Sequence, residues 1–194
     1  MLSLQSKKEL ILEVEQTFTR SIGRVLFEKP TVSFWMILIP FLLIYFIYRM
    51  KRYRNGRHRF QQEFMITRRK ALDIAAEAVT FDIPPRIDEW VQRAGLAPEV
   101  TGPYRRWLTA LVTYHRALLA ADGEDFVGLV RSAFPHREKF LDAMQSLGAA
   151  EEAFHAALHP GARATADTAE IINIMEKRAR GLRLELADAI YDGL

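Results

Sequence analysis

Residues 31–48 read TVSFWMILIPFLLIYFIY, eighteen positions without one formal charge. Wound as a helix the stretch is roughly 27 Å long, close to the roughly 30 Å hydrocarbon thickness of a bilayer. Phe34 and Trp35 stand near one end and Tyr45, Tyr48 and Tyr53 near the other, where amphipathic rings favour headgroup depth. Pro40 sits centrally and removes a backbone donor, which predicts a kink. A buried core helix rarely runs so far without a polar face. A cleaved signal is also disfavoured, because thirty residues precede the stretch and RMKRYRNGR follows it. A single uncleaved transmembrane helix over 31–48 is the expectation.

Working outward, charge divides the chain unevenly. Residues 1–30 hold five Lys/Arg and four Glu, a net +1. Residues 49–70 hold nine Lys/Arg against Glu63 alone, a net +8, and residues 71–194 hold thirteen against nineteen acids, a net −6. The positive net charge of the chain therefore comes from a short collar beside the apolar stretch. Counting cations near the two ends of the span, nine after it against five before, places the C-terminal domain in the cytoplasm and the N-terminus on the far side. Arg outnumbers Lys 20 to 7, in keeping with a GC-rich bacterial genome and hence an inner membrane.

The collar predicts contact with anionic lipid headgroups through Arg49, Lys51, Arg52, Arg54, Arg57 and Arg59, at about 1 kcal/mol per cation near the surface. The plainer reading is a flank that only sets topology. Nucleic acid is not an expected partner, since the folded domain is acidic and few aromatics accompany the cations. Asn55-Gly56 is a turn signal, so 49–58 reads as a juxtamembrane hinge.

Before the apolar stretch, 1–30 reads as an amphipathic arm. Ser6 and Glu9 fit a capping box, and Ile11, Val14, Phe18, Ile22 and Val25 recur every three or four residues. The opposite face is mixed in sign, which favours other subunits of a membrane complex over lipid as the partner of this stripe.

Residues 59–194 read as an all-α domain, an orthogonal bundle of short helices. Expected segments are 59–79, 85–94, 103–121, 124–134, 135–147, 149–158 and a long last helix, divided by Pro84-Pro85, Gly95, Asp122-Gly123, Pro135, Gly148 and Pro160-Gly161. The expected core comprises Trp90, Leu96, Trp107, Leu111, Tyr114, Leu118, Phe126, Leu129, Phe134, Phe140, Leu141, Met144, Phe154 and Leu158. In the last helix Asp167 and Glu170 suggest a second capping box. There Ile171, Met175, Leu182, Leu186 and Ile190 form an apolar stripe that closes the domain or meets another chain.

Chemistry is sparsely signalled. Without cysteine there is no thiolate metal site, disulfide or thiol nucleophile. Nucleotide-binding glycine loops, H-E-x-x-H and G-x-S-x-G do not occur. Glu152, His155 and His159 form a weak metal-ligand candidate, with the histidines at i,i+4. Their position in a last helical turn before Pro160-Gly161 is equally that of imidazoles favoured by the helix dipole. No cofactor, small-molecule substrate or catalytic residue is expected. The reading is of a single-pass, membrane-anchored helical interaction protein, an accessory or assembly subunit of a larger complex. Its alternatives are a membrane-surface regulator working through the collar and a metal-binding helical protein.

Overall fold

The structure, a computed structural model, describes residues 2–26, 62, 64–158 and 166–193. Among these the chain is all-helical: α1 (Leu4–Leu26), α2 (64–81), α3 (Ile87–Arg93), α4 (Pro98–Ala120), α5 (Phe126–Ala133), α6 (Arg137–Leu158) and α7 (Ala166–Tyr191). The expected transmembrane helix over 31–48 and the hinge over 49–58 lie outside the described residues. Among the described residues no helix is long and apolar enough to cross a membrane.

Helix α4 is the spine of the bundle. Leu108, Leu111, Val112, Leu118 and Leu119 are buried along it, and α6 packs extensively against it. Pro98 occupies its first turn, where no intrahelical donor is needed. Pro103 lies one turn further in and is accommodated inside the helix, which therefore starts five residues earlier than Pro103 suggests.

Local chemistry explains the other boundaries. Asp82 adopts a left-handed conformation (φ 50°), and the Ile83 amide donates back to the Ala78 carbonyl at 3.2 Å, closing α2 just before Pro84. Asp125 caps α5, its Oδ1 accepting from the Gly128 amide at 2.7 Å. At the start of α1 the cap is Ser3, whose Oγ accepts from the Ser6 amide at 3.0 Å, so the helix begins one turn before the Ser6–Glu9 box. The acidic pair Asp167 and Glu170 lies where only the helical backbone is described.

Gly148 does not divide the chain; α6 runs through it from Arg137 to Leu158. Its small size serves packing instead, since a Cβ there would stand 3.0 Å from the Arg183 guanidinium. Of the expected core, Trp107, Leu111, Tyr114, Leu118, Leu129, Phe140 and Met144 are buried, and most of the others pack partly buried against them. Leu158 is 42% exposed at the end of α6.

The N-terminal helix does not stand apart as an arm. It packs along α7 and α4, and Ile11 joins the main core. Lys7 is buried and donates from Nζ to the carbonyls of Leu119 (3.2 Å) and Ala121 (2.5 Å), capping the C-terminus of α4. Arg131 of α5 caps α7 in the same manner through the Ile190 carbonyl (3.0 Å from Nε).

Two glycines give opposite expectations. A Cβ on Gly123 would lie 2.5 Å from the Leu129 backbone nitrogen, so Gly123→Ala should destabilise the fold by about 1–3 kcal/mol. Gly181, within α7, has open space around it, so Gly181→Ala should stabilise by about 1 kcal/mol through helix propensity. Urea unfolding of the full chain followed by circular dichroism reads both.

Candidate functional site

On an amphipathic helix a charged residue in the apolar register must find a partner inside the bundle. Four helices each supply one. Glu15 follows Ile11 by four on α1; Arg68 lies between Met65 and Leu72 on α2; Glu151 follows Leu147 on α6; Arg183 lies between Ala179 and Ala187 on α7. All four are buried, Arg68 at 2% and Glu151 at 3% exposure.

They meet in one ionic junction. Arg68 Nη2 donates to Glu151 Oε1 at 2.5 Å and Nη1 to Glu15 Oε2 at 3.4 Å. Arg183 Nη2 donates to Glu151 Oε2. His115 of α4 brings Nε2 to 3.2 Å from Glu15 Oε1. Since an ionised carboxylate only accepts, the proton of that hydrogen bond sits on Nε2. Aromatic faces enclose the cations: the Arg68 guanidinium carbon lies 4.5 Å from the Phe64 centroid and 5.2 Å from that of Phe18. Arg183 lies 5.4 Å from Phe18.

Two carboxylates and two guanidiniums balance the charge, and their surroundings shift the acids accordingly. Burial alone raises the Glu15 carboxyl. Arg68, together with the His115 hydrogen bond and charge, outweighs this and holds it at about 2. Glu151 is likewise held below the ordinary carboxylate range, burial opposing and Arg68 and Arg183 prevailing. Burial, reinforced by the nearby Glu15 charge, raises the Tyr114 phenol far above its ordinary value. The junction is a structural lock with its charges already satisfied by one another.

The residues expected to meet partners are dispersed. Ile11 and Ile22 are buried within the chain, Val14 and Phe18 are half-buried, and Val25 is 44% exposed. On α7, Leu182 and Leu186 are half-buried, Leu186 against the core, and Met175 borders a small recess beside Phe64 and His155. The Ile171 side chain, His159 and the collar cations through Arg59 lie outside the described residues.

Glu152 and His155 do not converge on a common point. Glu152 Oε1 accepts from Arg180 at 2.9 Å, while His155 Nδ1 lies 3.4 Å from Glu176 Oε1. Among the described residues no three His, Asp or Glu side chains are grouped to hold a metal ion. A groove of about 510 Å³ lies instead between α6 and α7, bordered by Leu141, Met144, Gln145, Ala149, Arg180 and Leu184. Leu184 is 48% exposed at its rim.

Sequence reading did not single out Glu15, Arg68 or Arg183. The available signal was their register, each standing on an apolar stripe at helical spacing. No family model, curated protein or solved structure matches the chain.

Removing one member of the junction leaves buried charge uncompensated. Glu151→Ala takes the carboxylate from Arg183 and leaves Arg68 with Glu15 alone, and should cost about 3–5 kcal/mol of stability, measured by urea unfolding. The depressed Glu15 carboxyl contributes stability that is complete above its ordinary value of 4.5 and disappears as pH falls towards about 2. Melting temperature should therefore fall across that acid window in the natural chain. A Glu15→Gln chain should start lower and show a shallower fall.

Proposed function

We propose that this chain is a membrane-anchored helical interaction protein, an accessory or assembly subunit of a larger membrane complex that carries its bundle at the cytoplasmic face. The observation that carries the reading is the uncharged 31–48 stretch, followed at once by the dense cations of 49–70. The bundle adds a helical body whose interior charges are spent on each other. The α6–α7 groove, with Leu184 exposed at its edge, supplies an apolar surface for another subunit. A single-pass arrangement with the N-terminus on the far face fits poorly with this body, because α1 packs in the same bundle as α2–α7.

Membrane attachment through 31–48 makes a direct prediction. Leu38→Arg with Leu42→Arg adds two charges, each costing roughly 2.5–3.5 kcal/mol at the centre of a membrane segment. The doubly substituted chain should shift from the membrane pellet to the supernatant after lysis and ultracentrifugation. Extracted in mild detergent, the natural chain should migrate with stoichiometric companions; a lone monomer overturns the subunit reading. The cations of 49–70 favour a second reading, a surface regulator held by anionic lipid. Under that reading the Leu38→Arg, Leu42→Arg chain should still float with anionic vesicles, and high salt should release it.

A further inference from the structure

We propose that one end of the bundle, where α1 finishes and α2 begins, is a docking surface for anionic phospholipid headgroups. The inference rests on the membrane reading above and names the face of the folded domain that meets the lipid.

The pairing of α1 with α2 defines that end. The two helices are antiparallel neighbours: Lys8 Nζ meets Asp73 Oδ1 at 2.6 Å, Arg68 Nη1 meets Glu15 Oε2 at 3.4 Å, and Thr19 Oγ1 lies 3.1 Å from Met65 Sδ. The last turns of α1 and the first turns of α2 therefore lie side by side. The end of α6 joins them, since Phe64 and His155 line one small recess together with Met175 and Glu176 of α7.

Charge is sorted along the α1–α2 pair. On α1 the exposed acids Glu9 and Glu13 precede the exposed cations Arg20 and Arg24. On α2 the order is reversed, with Arg69 exposed before Asp73 and Glu77. Antiparallel seating of two opposite gradients gathers Arg20, Arg24 and Arg69 at one end and sets the acids towards the other. Lys8, a cation at the acidic end, is matched there by Asp73. The three arginines meet no carboxylate among the described residues, and Arg20 donates only to the neutral Gln16 amide oxygen, at 3.2 Å. Nearby acids are already engaged: Glu15 and Glu151 in the ionic junction, Glu152 by Arg180 and Glu176 by His155.

Apolar exposure gathers at the same end. Val25, beside Arg24, is 44% exposed; Ile66, one turn before Arg69, is 58% exposed; Leu158, three residues beyond His155, is 42% exposed. Guanidiniums bind phosphate oxygens in bidentate fashion, and aliphatic tips among them gain by entering the acyl boundary just beneath. Connectivity selects lipid over an acidic protein as the occupant. The chain leaves α1 and re-enters α2 at this end, and the intervening sequence holds the uncharged 31–48 run and its cationic flank.

A chain without cysteine permits site-specific labelling. Ile66→Cys and Leu158→Cys report on the proposed surface, and Phe81→Cys and Val127→Cys on exposed apolar positions away from it. Ile66 and Phe81 stand at opposite ends of α2, roughly 22 Å apart along its axis. Each full-length variant, carrying an environment-sensitive fluorophore, is reconstituted into phosphatidylglycerol-containing vesicles with a nitroxide-labelled lipid as quencher. The labels at Ile66 and Leu158 should be quenched several-fold more than those at Phe81 and Val127. That difference should shrink in purely phosphatidylcholine vesicles, in high salt, and when Arg20→Glu, Arg24→Glu and Arg69→Glu are added. Equal quenching at all four positions in a chain that pellets with the vesicles overturns the docking surface and leaves membrane attachment intact. Quenching at Ile66 that ignores headgroup charge, salt and the three reversals overturns the anionic-lipid assignment. A chain missing from the vesicle pellet overturns the membrane reading, and the docking surface with it.

Discussion

A guanidinium enclosed by protein is tolerable only when carboxylates meet it, and Arg68 imposes that requirement on the whole molecule. Its two acidic partners come from opposite directions along the chain, Glu15 53 residues before it and Glu151 83 residues after. Arg183 then reaches Glu151 from the last helix, 32 residues further on. Helices α1, α2, α6 and α7 are thereby tied at one point, with α4 contributing His115. The aromatic rings of Phe18 and Phe64 pack on the cations and keep water from competing for them.

That lock fixes α1 to the rest of the bundle. An N-terminal helix free of the bundle could sit on either side of a membrane. One whose Glu15 is paired with Arg68, and whose Lys7 caps α4, travels with the bundle. The hydrophobic surface once available to another subunit along α1 is largely consumed within the chain. Any partner is therefore offered a different surface, the α6–α7 groove, where Arg180 and Leu184 combine charge with exposed apolar area.

Much of the bundle could be read directly from local chemistry. Pro84-Pro85, Gly95 and Asp122-Gly123 end helices because each acts on its own backbone neighbours. Trp107, Leu111, Leu118 and Phe140 are buried because large apolar side chains at helical spacing have few other places to go. Gly148 misled for the same reason: glycine weakens a helix locally, but here the room it leaves for Arg183, 35 positions later, matters more. Leu158 misled in the opposite sense, since an apolar residue at a helix end is covered only if another element reaches it.

By itself the amino-acid sequence determined the helical class, most turns, the lipid-compatible run and its cationic flank, because these depend on period, backbone preference and transfer energy along contiguous residues. Only the tertiary structure decided that α1 belongs to the bundle, and that Glu15, Arg68, Glu151 and Arg183 form one junction. Their register marks them as buried, yet a buried charge on one helix does not specify which distant helix carries its counterion. That choice is made by packing, where the antiparallel seating of α1 on α2 brings a carboxylate and a guanidinium 53 residues apart into contact.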